Sequence, residues 1–133
     1  MRVLLDANVL FSASNKGSNI ARLVRLTISR ETAVTNDVAI EEARRNLALK
    51  RPGWLGSFEA ILEGVERVPS VVFELPVALA AKDVPLLCAA IQGRCKLFVT
   101  GDRRDFGHLY GQTISSVEVV SLLRLAEIMA GSA

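Results

Sequence analysis

The sequence predicts an α/β fold, a three-layer α/β/α sandwich around a central, mainly parallel sheet of four to five strands. Short apolar runs of four to six residues alternate with segments whose apolar residues recur at helical spacing, the pattern of βαβ units. Half of the 133 residues are hydrophobic and mean hydropathy is +0.33, as suits central strands covered on both faces. No repeat, low-complexity tract or linker interrupts the pattern, so residues 1–133 read as a single domain.

The elements follow in order. "RVLL" (2–5) is a strand ended by Asp6. "SNIARLVRLTIS" (18–29) is a helix capped by Ser18, with Ile20, Leu23, Val24 and Thr27 at helical spacing. "TAVT" (32–35) is a second strand, and Asn36 caps a helix that runs to about Lys50 and is stopped by Pro52. "GWLGSFEAILEGVE" carries Trp54, Phe58, Ile61, Leu62 and Val65 in a 3.6-residue stripe, most simply a core-facing helix. "SVVFEL" (70–75) is the expected third strand. "DVPLLCAAIQG" is a buried helix with Asp83 at the cap, Pro85 in the first turn and Gly93 as terminator. "KLFVT" (96–100) is the fourth strand, "ISSVEVVS" (114–121) holds one or two extended pieces, and "SLLRLAEIMAG" is a closing helix capped by Ser121.

Composition excludes several classes. No uncharged apolar stretch approaches the roughly 18 residues of a membrane span, and Asp6 interrupts the N-terminal apolar run too early for a signal peptide. A cytoplasmic protein is the expectation. Cys88 and Cys95 form no CxxC and no second pair, so they read as reduced thiols. Residues 1–51 hold nine basic and five acidic residues, and residues 52–133 hold seven and nine. This mild basic bias is compatible with a phosphate-bearing partner. Neither GxGxxG nor GxxxxGK[ST] occurs, and the one histidine, His108, has no nucleophile motif beside it. A phosphatase of the Asp-x-Asp type would need an acid where Asn8 stands, and a receiver domain would need a lysine after its last strand.

In parallel sheets, sites form at the carboxyl ends of strands. Asp6 follows the first strand, Asp102 follows the fourth just beyond Thr100 and Gly101, Asp83 caps a helix, and the helix 36–50 offers Glu41 or Glu42. Each has a plain alternative. Asp83 can be an ordinary N-cap, and Glu41 or Glu42 can pair with Arg44 or Arg45 on a solvated face. Taken together, gathered carboxylates raise one another's proton affinity and call for a compensating cation. An oxygen-preferring divalent ion supplies it and supports hydrolysis of phosphodiesters.

The pieces "VLLDANVLFSAS", "NDVAIEEARRNL" and "KDVPLLCAAIQGRCKLFVTGDRRDF" resemble, in order and spacing, the PIN-domain family. The likeness covers about residues 1–122 and is greatest to the VapC-type toxin ribonucleases of bacterial and archaeal toxin–antitoxin pairs. It implies an acidic pocket binding Mg²⁺ or Mn²⁺ and endonucleolytic cleavage of RNA. It places the catalytic acids at Asp6, Glu42, Asp83 and Asp102, with Asp6, Asp83 and Asp102 on the metal. Asn8 matches a polar residue that braces the first Asp, and Thr100 the hydroxyl of a T-x-D turn. Asp105 is either a further outer ligand or a loop residue paired with Arg103 or Arg104. Arg103, Arg104, Lys50 and Arg51 are the expected contacts to RNA phosphates. The resemblance also implies a small antitoxin or a second subunit held by helices around the Trp54–Val65 stripe. The rival of another class is a nucleic-acid-binding or assembly module that keeps the pocket and cuts nothing. A flap-type DNA nuclease ranks below both, because 133 residues leave little room for DNA-gripping segments.

Overall fold

Six strands form one sheet in the order β3-β2-β1-β4-β6-β5. The computed structural model describes residues 1–131; Ser132 and Ala133, the last two residues of the expected domain, lie outside them. The chain runs β1 (Arg2–Leu5), α1 (Ala7–Ala13), α2 (Asn19–Arg30), β2 (Thr32–Asn36), α3 (Asp37–Lys50), α4 (Leu55–Leu62) and β3 (Glu66–Val68). It continues with α5 (Val84–Gln92), β4 (Leu97–Val99), α6 (Arg103–Phe106), β5 (Thr113–Ile114), β6 (Val117–Val120) and α7 (Leu122–Gly131). Single 3₁₀ turns precede α4 at Pro52–Trp54 and follow α6 at Gly107–Leu109. Among the described residues no helix is long and apolar enough to cross a membrane.

Local chemistry sets most helix starts. The Ser18 side chain accepts from the Ala21 N–H and the Asn36 side chain from the Ala39 N–H, each satisfying a donor that the first turn leaves free. Ser121 Oγ accepts from the Arg124 N–H in the same way at α7.

All pairings are parallel except β5 with β6. That last hairpin turns through Ser115 and Ser116, both at positive φ (48° and 73°), the hand that matches strand twist in a two-residue loop. Two short pieces thus occupy the "ISSVEVVS" stretch, and the sheet has six strands where four to five were expected.

The third strand is corrected. Glu66–Val68 pairs with β2, Val34 opposite Glu66, and residues 70–75 lie outside the sheet. Val72 is 70% exposed, and the backbone of Phe73 meets the buried Cys88 sulfur at 3.5 Å. The apolar run reads as a strand by composition, but the short turn after α4 reaches the open edge of β2 first. Two helices were also unforeseen. α1 begins immediately after Asp6, and α6 immediately after Asp102.

The core centres on β1, β4 and β6, where Val3, Leu4, Leu5, Phe98, Val99 and Val119 are fully buried. Phe58 and Val65 are the buried members of the expected stripe, while Trp54, Ile61 and Leu62 pack at the core's edge. Phe98 meets Phe106 with ring centroids 4.9 Å apart, which anchors α6 to the sheet. Nearby, Tyr110 donates its hydroxyl to the Thr100 carbonyl at 2.8 Å and ties the chain after α6 to the turn after β4. Tyr110→Phe is expected to lower stability by about 1 kcal/mol. A shifted urea midpoint with unchanged slope checks this, and an unmoved midpoint contradicts it.

The chain leaves β1 toward β2 and β3 on one side, then returns across the sheet to β4 on the other. Right-handed crossovers therefore put α1–α4 on one face and α5 on the opposite face. The strand order reverses between β1 and β4, the place where open α/β sheets bind ligands.

Candidate functional site

Asp6 stands at that reversal. Its N–H is bonded to the Val99 carbonyl at 3.0 Å, so it belongs to the β1–β4 seam as well as to the start of α1. Its Oδ1 accepts from the Ala7 N–H at 2.7 Å. Its Oδ2 accepts from Thr100 Oγ1 at 2.8 Å and from Asn8 Nδ2 at 3.1 Å. Thr100 Oγ1 in turn accepts from the Asp102 N–H at 3.1 Å, and Asn8 Oδ1 accepts from the Gly101 N–H at 2.7 Å. A side chain at position 101 would place its Cβ 3.2 Å from Asn8 Oδ1, tighter than an ordinary contact, so Gly101 suits the close approach of the Asn8 amide.

Asp102 caps α6, its Oδ1 accepting from the Asp105 N–H at 3.1 Å. Asp83 occupies the cap position of α5 but makes no cap hydrogen bond, which removes its plain structural role. Its Oδ2 is buried and has no hydrogen-bond partner. From α3, Glu42, Asn46 and Lys50 share one face at four-residue spacing and line the same cavity. Glu41 is exposed and does not line it, so the face of α3 distinguishes the two glutamates.

The cavity is about 340 Å³ and brings Asp6, Glu42, Asp83 and Asp102 together, with Asn8, Ser12, Asn46, Lys50 and Lys82 around them. Thr100 is fully buried beneath it and braces Asp6 from behind. Asp105 lies outside the lining and pairs with Lys82 at 2.8 Å, where Arg103 or Arg104 was the partner read from sequence. Arg103 and Arg104 do not line the cavity, and neither does Arg51, whose guanidinium lies over Trp54 at 5.5 Å. Of the four basic residues expected beside phosphates, only Lys50 lines it. Lys82 was missed. A lysine just before a helix N-terminus opposes the helix dipole, a signal readable in "AKDVP".

Burial pushes the Asp6 carboxyl up to about 6, against the hydrogen bonds from Thr100 and Ala7, and Glu42 adds to the rise. Burial also lifts Asp83 to about 6; Lys82 opposes the rise while Asp105, Asp6 and Asp102 reinforce it. These acids feel one another across a shared space. Asp105 moves the other way, held low first by its bond to Lys82.

An oxygen-preferring divalent cation fits this donor set: several carboxylates, two with raised proton affinity, and one buried oxygen without a donor. One fact stands against a ready-made centre. Among the described residues, no three His, Cys, Asp or Glu side chains are gathered as a ligand set. Asp6 is engaged by Ala7, Asn8 and Thr100, and Asp102 by the Asp105 N–H.

No family model and no curated protein matches the sequence. Among solved structures the chain is similar to VapBC2 from Rickettsia felis, determined bound to a DNA fragment from their promoter. The TM-score is 0.66 at 13% identity, covering 91% of this chain and 98% of that one. At that identity the likeness is one of fold.

Proposed function

We propose that this protein is a metal-dependent endoribonuclease, the toxin component of a toxin–antitoxin pair. The observation that carries the reading is the convergence of Asp6, Glu42, Asp83 and Asp102 on one cavity at the strand-order reversal, with a buried oxygen on Asp83 that has no hydrogen-bond partner among the described residues. The fold likeness to VapBC2 supports the same assignment.

Asp6, Asp83 and Asp102 would hold the cation, Mg²⁺ or Mn²⁺. When bound, it supplies charge neutralisation at the phosphoryl oxygens and a more acidic water. Asn8 and Thr100 fix the Asp6 carboxylate in place. Glu42 positions the attacking water and accepts its proton. Lys50 at the end of α3 contacts a backbone phosphate, which holds the RNA in register without reading its sequence.

A small protein partner has support of its own. Ala13, Ile28 and Ile61 line a mostly apolar groove of about 570 Å³, with the small residues Gly56 and Ala60 of α4 and Gly64 in the turn beyond it also in the lining. Lys16 and Arg25 also line it. An amphipathic segment with acidic flanks suits that groove.

A second reading, a nucleic-acid-binding or assembly module that does not cut, is favoured by the lack of a closed ligand set among the described residues. One experiment separates the two. Purified protein is incubated with single-stranded RNA and Mn²⁺, with and without EDTA. Cleavage that EDTA abolishes is the expected result, and binding without cleavage favours the second reading. Size in solution, with and without a co-purifying small protein, tests the antitoxin and homodimer.

A further inference from the structure

Among the described residues, Lys82 is the one cationic group that touches both acidic segments of the cavity wall. Its Nζ lies 2.8 Å from Asp105 Oδ2 on α6 and 3.9 Å from Asp83 Oδ2 at the start of α5. The Asp83 oxygen it approaches is the buried one without a hydrogen-bond partner. Asp105 in turn gives its N–H to Asp102. A single ammonium therefore stands between the segments that carry Asp83 and Asp102.

The rest of the surroundings leaves the position to this residue. Lys50, the other lysine lining the cavity, is at the C-terminal end of α3. Arg103 and Arg104 sit beside Asp102 in sequence but do not line the cavity. The Lys82 side chain is 62% exposed, so its flexible stem can leave Asp83 while keeping Asp105.

We infer that Lys82 is a resident counter-ion that stabilises the acidic cavity without metal and competes with the divalent cation for Asp83. The inference rests on reading the cavity as a cation site. A like charge this close opposes the incoming ion, and losing it strengthens cation binding by about fivefold at low ionic strength. The difference shrinks as added salt screens a group this exposed.

The test is calorimetric titration of the full chain with Mn²⁺, comparing the parent with Lys82→Gln, Lys82→Arg and Lys96→Gln. Lys96 precedes β4 at the opposite end of the sheet and controls for net charge. Lys82→Gln is expected to bind Mn²⁺ about fivefold tighter, to melt lower in EDTA, and to gain more in melting temperature from Mn²⁺ than the parent does. Lys82→Arg and Lys96→Gln stay near the parent. Unchanged or weaker binding by Lys82→Gln overturns the inference while leaving the cation site standing; weaker binding would make Lys82 a support for Asp83. A parent chain that binds no Mn²⁺ overturns both.

Discussion

Asp6→Asn is expected to cut Mn²⁺-dependent RNA cleavage by at least about a hundredfold while leaving the fold intact. Activity falls because Asp6 is the acid at the β1–β4 seam, held by Ala7, Asn8 and Thr100 in a single orientation. An amide keeps the oxygen that accepts from the Ala7 N–H, but it removes the negative charge and sets an NH2 where Oδ2 accepts from Thr100 Oγ1 and Asn8 Nδ2. The fold survives for the opposite reason: that charge is buried and costs stability when no cation is bound, as its raised proton affinity shows. In EDTA near pH 7.5 the relief of that charge offsets the bonds lost at Oδ2, so Asp6→Asn should melt close to the parent. Cleavage at the parental rate rejects Asp6 as a site residue. Collapse of the variant in EDTA would make its role structural.

The second large effect is on stability against pH. In the unfolded chain Asp6 titrates near 3.8; in the folded chain it titrates near 6. Between those values the folded state holds the extra proton. Its contribution is complete below about pH 4 and is lost as pH rises through about 6. For Asp6 alone the change is about 3 kcal/mol. Asp83 shifts in the same direction for the same first cause, burial. The lowered carboxylates, Asp105 and Glu66, contribute in the opposite sense, but their loss comes as pH falls, below this window. In EDTA, the urea midpoint should decline from about pH 4 to about pH 7, and Asp6→Asn should remove about half of the decline, Asp83 supplying the rest. Mn²⁺ should flatten the curve, because a cation favours the ionised carboxylates. A midpoint that holds level across that interval in EDTA contradicts the electrostatic picture.

What could be read from the sequence was local. Ser18, Asn36 and Ser121 sit where a side-chain oxygen meets the free donors of a first helical turn, and such caps need no tertiary knowledge. The apolar runs of β1, β2 and β4 are legible for a similar reason, since buried parallel strands are apolar throughout. The third strand was not legible. Residues 70–75 are the more strand-like by composition, yet pairing is decided by which segment first reaches the edge of β2.

The same division runs through the site. Asp6 and Asp102 are recognisable because each interrupts an apolar run at a strand end. Glu42 and Glu41 differ by one position, about 100° around a helix, and only the packing of α3 shows that Glu42 faces Asp6. Arg103 and Arg104 flank an acid in sequence, but α6, capped by Asp102 and anchored by Phe106, leaves them off the cavity lining. Lys82 stands against the helix dipole in "AKDVP", but its partners, Asp83 and Asp105, became visible through the distances.

The shared cation is tested most directly by crystals grown with Mn²⁺ and measured for anomalous scattering. One peak bounded by Asp6, Asp83 and Asp102 is the expected result. No peak in the cavity at saturating Mn²⁺, or a peak held by other residues, would contradict the account.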